Sequence, residues 1–160
     1  MNKNRYVLDT SVIIKSIFMP PTSLSNELRK REMETHKKCK NIIKMLGDPD
    51  IDVYIPKVCV VETSAVAKRL SDKKFAVKIS KSVMNSYEVV DESILFEPAW
   101  AIAIDTGCSG FDSYFIALAK IKSATLFSDD KRMHFYAKDV GINSILIRER
   151  EFEEIEKSVK

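Results

Sequence analysis

Apolar residues in this chain fall into short β-like clusters separated by longer stretches of helical spacing. Tyr6-Val7-Leu8 reads as a first strand. Residues 11–18 then follow a helical pattern that Pro20-Pro21 interrupts, because proline lacks the amide and clashes with the preceding turn. From residue 24 to 46 the chain is strongly charged around a minority of Leu28, Met33, Cys39, Ile42, Ile43 and Leu46, the pattern of one long surface helix or two short ones. Gly47 and Pro49 close it. Val53, Tyr54 and Ile55 give residues 52–56 a second strand, after which Pro56 suits the first turn of a helix reaching about residue 70. Helices over 72–85, 92–104, 111–122 and 130–140 alternate with strands over 87–90, 125–128 and 145–147, and a charged helical tail begins at Arg148. Strands separated by helices predict a three-layer α/β/α sandwich with a mostly parallel central sheet of four to five strands. The expected organisation is a single domain over residues 1–160, enlarged by a charged helical insertion at about 22–47.

Composition narrows the class. At 160 residues, 45% hydrophobic and 31% charged, the chain suits one globular core. Its net charge of +3 permits a polyanionic partner without demonstrating one. No apolar run approaches the roughly 18 residues that span a bilayer, and the basic start lacks the apolar centre of a signal peptide, so a cytoplasmic location is expected. Cys39, Cys59 and Cys108 are odd in number and widely spaced, which suggests reduced thiols, Cys59 and Cys108 packed and Cys39 nearer the surface. His36 and His134 have no metal-ligand spacing to each other or to a cysteine and read as ordinary surface or helix residues.

The candidate chemistry lies in carboxylates. Tyr6-Val7-Leu8 runs into Asp9, and Thr125-Leu126-Phe127-Ser128 runs into Asp129-Asp130, so two distant segments deliver acids past the carboxyl ends of strands, where a parallel sheet forms its crevice. Helical spacing sets Glu62 in a row with Val58 and Val66, a carboxylate on an apolar face that needs a partner, either Lys68 or Arg69 or a metal. Asp112 heads the face of Phe115, Ile116 and Ala119; a first-turn aspartate is also favoured by unpaired amides alone. Asp9 and Asp130 admit a helix-cap reading as well, with Thr10, Ser11 and Ser128 as alternative cap donors. Four acids meeting in one crevice would repel by about 4 kcal/mol per close pair at an effective dielectric of about 20, so a cation must hold them together. Oxygen-only ligands select magnesium or manganese over zinc.

In order and context, Tyr6-Val7-Leu8-Asp9-Thr10-Ser11, Glu62 in its helix, Ser109-Gly110-Phe111-Asp112-Ser113-Tyr114-Phe115-Ile116-Ala117-Leu118-Ala119 and Ser128-Asp129-Asp130 resemble the four acidic motifs of PIN-domain nucleases. The resemblance implies that Asp9, Glu62, Asp112 and Asp130 bind Mg2+ or Mn2+ and carry catalysis, with Ser11 and Ser128 in support. Asp129, at the variable position of the last motif, is a supporting residue and a possible substitute ligand. It further implies a metal-dependent endoribonuclease similar to VapC toxins, in which metal-activated water attacks a phosphodiester to leave a 5′-phosphate and a 3′-hydroxyl. A homodimer and an antitoxin covering the crevice belong to the same expectation. The 22–47 segment makes this chain larger than most such toxins, a departure that bears on the toxin role and not on the nuclease role.

An acidic crevice binds RNA only if basic residues surround it, and the candidates are Arg29, Lys30 and Arg31, then Lys37, Lys38 and Lys40, with Lys68, Arg69, Lys73 and Lys74 further on. Glu27, Glu32 and Glu34 interleave neighbouring Arg29, Lys30 and Arg31, so a solvated helix face stands beside that reading. Among rivals, an aspartate-nucleophile phosphatase needs a second acid where Ser11 stands, and a receiver domain needs a phosphoacceptor where the second strand runs into Pro56-Lys57. The remaining alternative is a catalytically silent PIN-like scaffold that binds RNA or protein. Phe75, Tyr87, Trp100, Phe135 and Phe152 are the apolar candidates for partner contacts, with a core position the stronger expectation for most of them.

Overall fold

A computed structural model describes residues 4–159; residues 1–3, part of the basic start weighed against a signal peptide, lie outside it. Five strands form one parallel sheet: β1 (Asn4–Leu8), β2 (Ile51–Pro56), β3 (Glu88–Val90), β4 (Thr125–Ser128) and β5 (Ser144–Leu146), in the order β3-β2-β1-β4-β5. The helices are α1 (Thr10–Ile17), α2 (Asn26–Met45), α3 (Lys57–Leu70), α4 (Lys73–Ser86), α5 (Glu92–Thr106), α6 (Gly110–Lys122), α7 (Lys131–Asp139) and α8 (Phe152–Val159). A 3-10 turn, Ile147–Glu149, precedes α8. The charged 24–46 stretch is thus one continuous helix, opened by Ser25, whose hydroxyl accepts the Leu28 amide.

The chain moves from β1 to β2 to β3 in one direction and then returns past both to β4. Because parallel crossovers keep a right hand, this reversal sends α5, α6 and α7 to the opposite face from α1 to α4. Accordingly α6 lies on β1, β2 and β4 with α5 and α7 against it, while α1 contacts α2, α3 and β4. The switch point falls between β1 and β4, where open parallel sheets form a crevice beyond the strand ends. Both strands are central, so their side chains are buried in runs: Tyr6, Val7 and Leu8, then Leu126, Phe127 and Ser128. Phe115, Ile116 and Leu118 of α6 and Val12 and Ile13 of α1 complete the core around them.

One packing expectation is corrected. Cys39 is fully buried like Cys59, because the inner face of α2 packs into the core. His36 is buried too, its Nδ1 lying 2.6 Å from the carbonyl of Lys15, whereas His134 is half-buried with Nδ1 2.9 Å from the Ser144 hydroxyl. Of the five aromatic candidates, Phe75, Tyr87 and Phe152 are half-buried and Trp100 and Phe135 are exposed. Helix α5 is apolar on both sides: Leu95, Ala99 and Ile102 face the core, while Ile94, Phe96, Trp100 and Ile104 face out, with the Phe96 and Trp100 rings stacked at 6.5 Å. Among the described residues no helix is long and apolar enough to cross a membrane.

Candidate metal centre at the strand ends

The β1–β4 register pairs Leu8 with Phe127, and the Asp9 amide continues it by donating to the Phe127 carbonyl at 3.0 Å. This fixes Asp9 beside Ser128. Asp9 is 5% exposed and sits at the cap position of α1, yet its side chain caps nothing. Its Oδ2 instead accepts the hydroxyls of Ser11 at 2.6 Å and Ser128 at 2.8 Å. Each hydroxyl in turn accepts a backbone amide, Ser11 from Asp129 and Ser128 from Asp130. With its acceptor side occupied, each serine proton is committed to Asp9, so both hydroxyls hold one carboxylate oxygen in place.

Glu62, half-buried on α3, takes the Thr10 hydroxyl on Oε2 at 2.6 Å. Neither Lys68 nor Arg69 neutralises it among the described residues; both lie exposed in the last turn of α3. Asp112, half-buried in the first turn of α6, is placed by Ser109, whose hydroxyl accepts the Asp112 amide at 3.1 Å. Asp130 is exposed and caps α7, its Oδ1 accepting the amides of Arg132 and Met133.

Electrostatics ties the four acids together. Burial pushes the Asp9 carboxyl up to about 6 against the pull of its two hydroxyl partners, and the charges of Glu62 and Asp112 add to the rise. Burial also raises Glu62, with Asp112 adding, and raises Asp112, with Asp130 adding. No salt bridge reaches Asp9, Glu62 or Asp112 among the described residues. Nor do any three His, Cys, Asp or Glu side chains among these residues stand closed around a point that would hold an ion. The donor set still suits a hard divalent cation: oxygen ligands only, one of them buried without a cationic partner and held by fixed hydroxyls.

Asp129 behaves differently. Its side chain has no exposure, and Oδ2 meets Lys15 Nζ at 2.5 Å and Arg148 Nη2 at 2.8 Å, while Oδ1 accepts the amide and Nε of Arg148. Burial works to raise its pKa, but Arg148 and Lys15 prevail and hold it below the usual carboxylate range. The same pairing, with Glu32 at 2.8 Å, raises Lys15 against its own burial. With both oxygens given to cations, Asp129 does not fit the substitute-ligand role expected of it; it supports the strand end instead. Lys15 and Arg148 stand outside the acidic motifs. Their signals were a lysine inside the apolar run of α1 and an arginine directly after Ile145-Leu146-Ile147, both beside the strand ends.

The RNA-binding candidates scatter. Lys37 and Lys40 are exposed on α2, but Lys38 donates to the carbonyls of Arg150 at 2.8 Å and Ile147 at 3.4 Å, tying α2 to the 3-10 turn.

Comparison with known proteins identifies the class. The PIN domain family model matches residues 6–140, and the chain belongs to that family. Its fold is similar to VapBC2 from Rickettsia felis, solved bound to a promoter DNA fragment (TM-score 0.60, 13% identity, 88% of this chain and 97% of that one). It is similar also to VapC20 of Mycobacterium tuberculosis, described as a sarcin–ricin loop cleaving toxin (TM-score 0.60, 16% identity, 86% and 95%), and to FitAcB from Neisseria gonorrhoeae (TM-score 0.59, 19% identity, 91% and 99%). No curated protein sequence matches the chain.

Proposed function

We propose that this protein is a metal-dependent endoribonuclease in which Asp9, Glu62, Asp112 and Asp130 bind Mg2+ or Mn2+. The observation that carries the reading is the contrast at one crevice: these acids have no salt bridge to a lysine or arginine among the described residues, whereas Asp129 beside them is paired twice. A scaffold with no use for a cation would gain stability by losing unpaired, half-buried carboxylates. A divalent ion held by these residues would supply an activated water for attack on a phosphodiester and would offset charge on the leaving oxygen. The chain's own part is orientation. Ser11 and Ser128 fix Asp9, Thr10 fixes Glu62, Ser109 sets the start of α6, and Asp130 commits Oδ1 to its cap.

Such a protein cleaves to leave a 5′-phosphate and a 3′-hydroxyl and works in the cytoplasm as one PIN-like domain, enlarged around α2. Likeness to the VapBC and FitAB structures supports a toxin with an antitoxin partner, and a homodimer is part of the same proposal. The second reading, a silent PIN-like scaffold, rests on the open arrangement of the carboxylates. Incubating the protein with structured and unstructured RNAs, with and without Mn2+ and beside Asp9→Asn, tests the proposal. Manganese-dependent cleavage lost in the variant is the expected result; calorimetry showing no Mn2+ uptake by the wild type favours the scaffold.

A further inference from the structure

Arg148 and Arg132 both lie at the carboxyl end of β4, the first bonded through its side chain to Asp129 and the second giving its amide to Asp130. The Arg148 guanidinium is held in one orientation by Asp129: Nε donates to Oδ1 at 3.1 Å, and Nη2 donates to Oδ2 at 2.8 Å and to the backbone carbonyl at 2.9 Å. That carbonyl immediately precedes Asp130. These bonds use Nε and Nη2; Nη1 has no hydrogen-bond partner among the described residues, and 23% of the side chain stays exposed. A planar fork with one edge locked and the other facing water suits a phosphate, with little ordering cost on binding. Arg132, exposed in the first turn of α7, gives its amide to Asp130 Oδ1 while its side chain has no salt bridge among the described residues. Each arginine is close enough to the quartet to feel it, Arg148 the charge of Asp130 and Arg132 acting on Asp112. By contrast Lys38 is spent on backbone carbonyls, and Lys68 and Arg69 sit at the far end of α3.

We infer that Arg148 and Arg132 bind the phosphates flanking the scissile bond of a single-stranded RNA, so that the substrate track crosses the β4–β5 side of the crevice rather than the lysines of α2. This rests on the nuclease reading for the identity of the substrate. Neutralised phosphate contacts appear in the salt dependence of binding, each lowering the log–log slope by about 0.7 for a single strand.

The test measures anisotropy of a labelled single-stranded RNA against salt in EDTA, together with cleavage kinetics in Mn2+. Arg132→Gln and Arg148→Gln should each flatten the salt slope by about one contact, and raise KM several-fold with a smaller change in kcat. Because Arg148 also anchors Asp129, Arg132→Gln, at an exposed side chain, is the variant that keeps the test independent of folding, with its urea midpoint expected to match the wild type. An Arg132→Gln protein with wild-type slope and KM overturns the inference, as does a slope that moves only on Lys37→Ser with Lys40→Ser. If those arginine results are negative while Asp112→Asn abolishes cleavage, the track is wrong and the nuclease stands. If RNA binds through the arginines but is never cut, the arginines stand as a phosphate-binding track while the nuclease reading and the scissile-bond placement both fall. A wild type that neither binds nor cuts RNA overturns both.

Discussion

Asp9 and Asp129 are two buried aspartates at the carboxyl ends of neighbouring strands, joined through the hydroxyl of Ser11, and the fold treats them in opposite ways. Asp129 receives two cations and is held ionised; Asp9 receives two hydroxyls and the fields of other acids, and its pKa rises to about 6. A fold that supplies Lys15 and Arg148 within one residue of Asp130 has cations at hand for the whole rim. Among the described residues they reach Asp129, with Lys15 also meeting Glu32, and leave Asp9 without a cation; on the proposed function that part of the rim would be kept for a metal ion.

The widest gap between the two should appear in activity. On the proposed function, Asp112→Asn or Asp9→Asn is expected to lower Mn2+-dependent RNA cleavage by at least about 100-fold, since several kcal/mol of charge stabilisation would depend on the ion these acids would hold. Circular dichroism should show the fold unchanged. Stability should respond in the opposite sense. Asp129→Ala leaves Lys15 and Arg148 facing each other, and breaking a buried pair costs about 3 to 5 kcal/mol. These cations are 28% and 23% exposed and can rehydrate, so a loss of about 3 kcal/mol in urea denaturation is expected, near the low end of that range.

The pH profiles should then cross. Asp9 binds its proton more tightly folded than unfolded, so its contribution to stability is greatest at low pH and falls as pH climbs from its ordinary 3.8 through about 6. In metal-free buffer at pH 7, Asp9→Asn should gain up to about 3 kcal/mol at 1.36 kcal/mol per unit, a gain that vanishes below about pH 4. Asp129, held below the usual range, contributes above that range and loses its contribution as pH falls. A wild-type and Asp9→Asn pair with parallel stability profiles from pH 4 to 7 would refute the account of Asp9. The smallest effect belongs to Thr10→Val. Losing the hydroxyl on half-exposed Glu62 should cost about 1 kcal/mol at most and weaken Mn2+ binding several-fold in calorimetry, with Thr10→Ser restoring it.

Much of this could be read from residue order. Periodicity located every strand and helix to within a few residues, because apolar runs such as Tyr6-Val7-Leu8 and Thr125-Leu126-Phe127 are bounded by strong breakers and caps. It left open whether 24–46 forms one helix or two, since α2 has a charged outer face and only a narrow apolar stripe. The motif acids could be picked out one by one, but not their partners. Asp129 and Asp130 look equivalent in sequence, and only the positions of Lys15 and Arg148, more than 100 and 19 residues away respectively, distinguish them. The same limit hid the burial of Cys39 and His36, which follows from how α2 lies on α1.

The outward face of α5 has a practical consequence. Trp100 is the chain's sole tryptophan and is 58% exposed, stacked on Phe96. Its emission therefore senses that one surface without a label: any protein that settles over α5 shifts the fluorescence to the blue, and one that docks elsewhere leaves the spectrum untouched.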